Sequence, residues 1–175
     1  MLKTSRLVRG AVACAVLFVG SSAFAEGTFT PEIGIGHGSG KQIGIPGDRT
    51  TWTYNVGFGY TDASGFGARA VVIADGDIVR GVFIDNRSFD NFVGAEATYS
   101  LPLQERLHLT AGLGIGRTKL DDGDGGTANS GTITDGLISL GLQYRFNTHY
   151  AMELRASHLT SSDVTSVTLQ AQFPF

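Results

Sequence analysis

Trp52-Thr53-Tyr54-Asn55-Val56-Gly57-Phe58-Gly59-Tyr60 sets a large apolar or amphipathic residue at every second position, with small or polar residues between. Successive side chains of a strand point to opposite faces, so this stretch is a strand with one greasy side and one polar side. The same period of two recurs along the chain. Leu107, Leu109, Ala111, Leu113 and Ile115 alternate with His108, Thr110, Gly112, Gly114 and Gly116. Ile138, Leu140, Leu142, Tyr144 and Phe146 alternate with Ser139, Gly141, Gln143 and Arg145. Val167, Leu169, Ala171, Phe173 and Phe175 alternate with Thr168, Gln170, Gln172 and Pro174.

A soluble sandwich would alternate too, and two features argue against it. The segments run to about ten residues, the length that crosses a bilayer at a tilt, whereas soluble strands average about 5–6. The other feature is the placing of the aromatics. Strands are expected near 28–37, 52–60, 66–75, 88–100, 106–117, 135–146, 150–158 and 164–175. Thr61–Gly65, Leu101–Glu105 and Asn147–His149 are then tight turns, while 38–51, 76–87 and 118–134 are longer loops, with a shorter one at 159–163. Short turns on one side and long loops on the other are the pattern of a transmembrane barrel. At the short-turn side the strand ends carry Phe29, Tyr60, Phe66, Tyr99, Leu107, Phe146, Tyr150 and Phe175 on the greasy face. All but Leu107 are aromatic, which reads as a girdle of rings at headgroup depth. The fold expected is all-β: an eight-stranded antiparallel up-and-down transmembrane β-barrel.

The N-terminus fits export. Lys3, Arg6 and Arg9 precede the apolar run Ala11–Val19, and Gly20-Ser21-Ser22 leads to Ala23-Phe24-Ala25. That is the order of a secretory signal peptide, and its apolar core is shorter than the roughly 20 residues a membrane helix needs. Residues 1–25 are expected to be removed, leaving the barrel domain at 26–175. The only cysteine, Cys14, lies within the leader and reads as one of its apolar residues, so the mature chain has neither disulfide nor thiolate metal site. Cleavage removes three of 13 basic residues and none of 16 acidic ones, giving a net charge of −6. The charges are scattered, without the basic stripe of a nucleic-acid protein.

Eight strands enclose a lumen just wide enough for side chains to fill. Its inward positions include Glu32, Arg69, Glu96, Arg145, Glu153 and Arg155, three acids and three bases among glycines that give the long side chains room. Opposite signs offset each other's desolvation in such a space, so a plugged, salt-bridged interior is expected rather than a water channel.

Gly141-Leu142-Gln143-Tyr144-Arg145-Phe146, the short turn, Ala151-Met152-Glu153-Leu154-Arg155-Ala156 and the terminal Phe175 resemble the OmpA/OmpX-like small outer-membrane barrels, which take in opacity-type and porin-family members. The resemblance implies a narrow or plugged lumen with inward Glu/Arg pairs, here Glu96, Glu153, Arg69 and Arg145. It also implies roles in envelope integrity, adhesion or limited solute passage. Phe173 and Phe175 match the C-terminal signal read by the outer-membrane assembly machinery. Unlike the OmpA type, the sequence ends with the barrel, so cell-wall anchoring is not implied.

Other chemistry is weaker. Arg155-Ala156-Ser157-His158-Leu159-Thr160 resembles the His-x-Ser region of outer-membrane lipid A deacylases, but Thr160 stands at the Ser position and no acid lies within Val164–Phe175. His158 therefore lacks the orienting acid and activated nucleophile that catalysis needs. Asp121-Asp122-Gly123-Asp124-Gly125-Gly126 misses two ligand positions of a calcium loop. Ile78, Val79, Val82, Phe83 and Ile84 give the loop from Asp75 to Arg87 an apolar character, suited either to a protruding edge that pairs with a foreign strand or to packing on lipopolysaccharide. The expectation is a non-enzymatic, cofactor-free protein of the cell outer membrane, monomeric because a closed barrel has no free edge. Its partners would be outer-membrane lipid, lipopolysaccharide, the assembly machinery and an extracellular protein. A narrow passive channel is the alternative, and a lipid A-modifying enzyme the third reading.

Overall fold

The computed structural model describes residues 27–41, 48–75, 89–120 and 131–175. They form eight strands: β1 (Gly27–Lys41), β2 (Asp48–Asp62), β3 (Phe66–Asp75), β4 (Phe89–Pro102), β5 (Leu107–Leu120), β6 (Gly131–Arg145), β7 (Ala151–Leu159) and β8 (Val164–Gln172). Each strand pairs antiparallel with the next, and β1 pairs with β8, which closes the barrel. Closure satisfies every backbone donor and acceptor of the ladder without water, the condition for crossing a bilayer.

Period-two patterning becomes geometry here. Ile33, Ile35, Tyr54, Val56, Phe58, Leu113, Ile115, Leu140, Leu142 and Leu154 all point outward and are exposed. The polar residues between them point in: Thr53, Asn55, Ser139, Gln143, Ser157, Thr168 and Gln170 are buried. Apolar outside and polar inside inverts a soluble protein, and it is stable only where the exterior meets lipid. Among the described residues no helix is long and apolar enough to cross a membrane.

Several strand boundaries correct the sequence reading. β1 continues to Lys41 and β2 starts at Asp48, pairing Gly38 with Thr51 and Gly40 with Arg49 inside what the sequence places in a loop. Likewise β5 and β6 pair from Leu120 opposite Gly131 down, lengthening the hairpin at its loop end. These tips are rich in Gly and Thr, without the regular apolar alternation that marks the strands nearer the short turns. At the other end β8 stops at Gln172, not Phe175. Phe173 N still donates to Pro31 O at 3.0 Å, and Phe175 N to Phe29 O at 2.9 Å. Alternate residues of an antiparallel strand face a given neighbour, so Pro174 sits where no donor toward β1 is required.

The short-turn ends are closed locally. Asp62 caps the β2–β3 turn, its Oδ1 accepting from Ser64 N at 2.8 Å and Phe66 N at 3.1 Å. Gly65 takes φ +90° and approaches the Ser100 carbonyl where a Cβ would collide, so only glycine serves there.

Candidate functional site

The lumen is layered along the barrel axis. In its middle, two arginines and three glutamates form one buried cluster. Arg69 Nη1 lies 2.9 Å from Glu32 Oε1, and Arg69 Nη2 lies 2.5 Å from Glu96 Oε2. Arg155 Nη1 is 3.3 Å from that same Glu96 oxygen, and Arg155 Nη2 is 2.8 Å from Glu153 Oε1. Glu96 thus stands between the two guanidinium groups, which would otherwise repel each other. Hydroxyls and amides complete the shell: Ser139 donates to Glu96, Thr110 donates to Glu153, and Gln172 Nε2 bridges Glu153 at 2.6 Å and Glu32 at 3.1 Å. Desolvating these charges is costly, and the shared partners offset it.

Space for the cluster comes from three glycines, one per carboxylate. A Cβ on Gly57 would fall on the Glu32 carboxylate, one on Gly112 on that of Glu96, and one on Gly141 on that of Glu153. The sequence placed glycines among the inward charges; the structure assigns each to a particular glutamate.

Arg145 departs from the expected six-residue network. It lies below the cluster, half-buried, and its Nε donates to Gln143 Oε1 at 3.0 Å rather than to a carboxylate. Gln143 Nε2 in turn donates to Gln172 Oε1 at 2.5 Å, so Arg145 reaches the ion cluster only through two amides. The reason is position: Arg145 is the last residue of β6, beyond the level at which Glu153 turns inward.

Above the cluster apolar side chains enter the lumen beside the buried Thr53 and Asn55, which the sequence reading did not anticipate. Val71, Ile73, Phe92, Leu137, Leu159 and Val164 pack together inside the barrel near its long-loop end. Phe92 is 0 % exposed and lies over two glycines, since a Cβ on Gly94 or Gly116 would come within 2.5 Å of its ring. A signal was available: Ala70-Val71-Val72-Ile73-Ala74 and Leu137-Ile138 are apolar on both faces, the mark of strands buried on both sides.

Asp135, also missed, sits buried above this layer. It accepts from Thr118 Oγ1 at 2.9 Å, Ser161 N at 2.7 Å, Ser162 N at 3.2 Å and Ser162 Oγ at 2.6 Å. The β7–β8 turn is thereby tied onto the barrel wall.

Below the cluster a vestibule of about 670 Å³ opens among the short turns. Glu32, Arg69, Glu153 and Arg155 form its floor, with Arg106, His108 and Arg145 along one wall. The lumen is therefore open at one end, ionic in the middle and apolar at the other.

On the exterior, Phe66, Tyr99, Phe146 and Tyr150 are exposed and Phe29 and Tyr60 half-buried. Rings pair across strands, Phe29 with Tyr60 at 5.0 Å and Phe66 with Tyr99 at 4.7 Å between centroids. Phe175 stacks beside Phe29 at 6.2 Å, and Phe173 meets Tyr150 edge-on at 5.9 Å. His158 points outward, its Nδ1 2.9 Å from Thr165 Oγ1, with no carboxylate on its ring among the described residues. Among those residues no three His, Cys, Asp or Glu side chains converge as metal ligands. Cys14 with the rest of residues 1–25, the Asp121–Gly126 stretch and the apolar segment 76–87 lie outside the described residues.

No protein-family model and no curated protein sequence matches this chain. Among solved structures, it is similar to Neisserial surface protein A, NspA, with a TM-score of 0.63 at 16 % identity, over 86 % of this chain and 100 % of that one. It is similar to the N-terminal β-barrel domain of Pseudomonas aeruginosa OprF, with a TM-score of 0.56 at 13 % identity, over 82 % and 97 %. It is also similar to Ail, the attachment invasion locus protein of Yersinia pestis, with a TM-score of 0.54 at 18 % identity, over 86 % and 99 %. The chain has the fold of the small eight-stranded outer-membrane β-barrels.

Proposed function

We propose that the protein is an integral protein of the cell outer membrane whose barrel is closed to solutes, and that it serves envelope structure or surface interaction through its long loops. The observation that carries this reading is the stacking of two unlike barriers in one narrow lumen. A hydrated ion entering from the vestibule would have to break the paired charges around Glu96 and then shed its water against Phe92, Val71 and Leu137. Either step alone is unfavourable, and an apolar constriction gates by dewetting. The outward apolar faces and the ring girdle support lipid as the surroundings, with lipopolysaccharide around the loop end. No catalytic role is assigned, because among the described residues His158 is paired only with a threonine hydroxyl.

The vestibule favours a second reading, a narrow passive channel, since half the path is already open. That reading requires Phe92 to leave its place.

Topology is tested in cells. An epitope inserted between Gly123 and Gly126 should be reached by antibody on intact cells, and one inserted at Thr148 only after the outer membrane is opened. Labelling of the Thr148 epitope on intact cells, or of neither epitope after opening, would contradict the reading.

A further inference from the structure

Among the described residues, Arg69, Arg145 and Arg155 point into the lumen, and Arg145 meets no counter-charge there. Arg69 is shared by Glu32 and Glu96, and Arg155 by Glu96 and Glu153. Arg145 uses its Nε on the Gln143 amide, and among the described residues neither of its terminal amino groups meets a carboxylate. It lines the vestibule together with His108 and Arg106. The β5–β6 register gathers these three: His108 is opposite Gln143, and Arg145 N donates to Arg106 O at 2.8 Å. On the floor of the same space, the buried Arg69 Nε has no hydrogen-bond partner among the described residues.

The acids lining the vestibule do not answer this need. Glu32 and Glu153 are ion-paired in the floor, Asp62 is taken by its own turn, and Glu105 is exposed on the β4–β5 turn without an ion pair among the described residues. A guanidinium partly withdrawn from water calls for an anion, and its planar fork best fits a two-oxygen group. A volume of about 670 Å³ is ample for a small solute.

We propose that the vestibule is a binding site for a small oxyanion, a carboxylate or a phosphate, taken from the short-turn side and held by Arg145 with Arg106 and His108. The site goes beyond the closed-barrel reading and does not depend on it, since an open lumen would present the same residues.

The test is titration of the refolded protein, in detergent micelles at low salt, with sodium succinate or sodium phosphate against chloride of matched ionic strength. Saturable binding of at least one anion is expected, and the stronger of the two identifies the group recognised. Arg145→Gln should weaken binding about tenfold or more, and Arg106→Gln by less. Arg117→Gln, outward-facing near the other end of the barrel, should leave it unchanged. Trp52 fluorescence reports whether each variant has folded. Should Arg145→Gln fail to fold, Arg145→Lys, which keeps the charge and loses the fork, should still weaken binding several-fold. Absence of saturable binding to either anion, or equal binding by the folded Arg145 variant, would overturn the proposal.

Discussion

Gly112 and the Glu96 carboxylate lie in such close contact that a Cβ on Gly112 would overlap Glu96 Oε1. Because Glu96 is held between Arg69 and Arg155, it has no second position to occupy without breaking an ion pair. Gly112→Ala should therefore destabilise the barrel by about 1–3 kcal/mol, the usual cost of overpacking. Urea unfolding from lipid vesicles, followed through the lone Trp52, measures it. Adding Glu96→Ala should make the two effects less than additive, since the second change removes the group the first collides with.

Glu96 also answers for two cations. Glu96→Ala leaves Arg69 with Glu32 and Arg155 with Glu153, but brings the two guanidinium groups face to face without the charge between them. A loss of about 3–5 kcal/mol is expected, as for breaking other buried pairs. Arg145→Gln, at the half-buried mouth, should cost under about 1 kcal/mol by the same measurement.

Asp135 holds the β7–β8 turn through the Ser161 and Ser162 amides and the Ser162 hydroxyl, while Thr118 of β5 donates to the same carboxylate. Asp135→Ala should free the Ser161 and Ser162 amides to exchange with solvent while the β6 and β7 ladders keep their protection. The local cost should be about 1–3 kcal/mol. Unchanged exchange at both serines would mean that the turn is held by other contacts.

Phe175 tests recognition apart from stability. Its backbone bonds to Phe29 do not need the ring, so Phe175→Ala should still refold from urea into vesicles. If the ring is what the assembly machinery reads, the amount inserted in cells should fall several-fold. Parallel losses in both settings would make the ring a structural part instead.

How much of this was legible in the sequence depends on which face a residue serves. The outward face was readable because lipid imposes one requirement on every second residue, as in Trp52 to Tyr60. Inward Glu and Arg were readable for the same reason, being placed opposite a greasy neighbour. Phe92 was not: in Asn91-Phe92-Val93-Gly94 two adjacent apolar residues leave the phase ambiguous, and its lumen position depends on Gly94 and on Gly116 from the next strand. Arg145 was readable as inward but not as lacking a carboxylate among the described residues, because pairing depends on height along the axis, which follows from register across β6 and β7 rather than from local sequence. Asp135 gave no signal at all, since its partners at Ser161 and Ser162 come from a turn about 26 residues on.

The central claim is that the lumen is shut, first by charge and then by an apolar layer. Planar-bilayer conductance of the refolded protein tests it most directly, with Phe92→Ala and Arg69→Ala/Glu96→Ala beside it. The account predicts silence from the unmodified protein and from either variant that leaves one barrier in place, with openings when Phe92→Ala is combined with the charge changes. Discrete, reproducible openings in the unmodified protein would contradict it and make the same lumen a path for solutes.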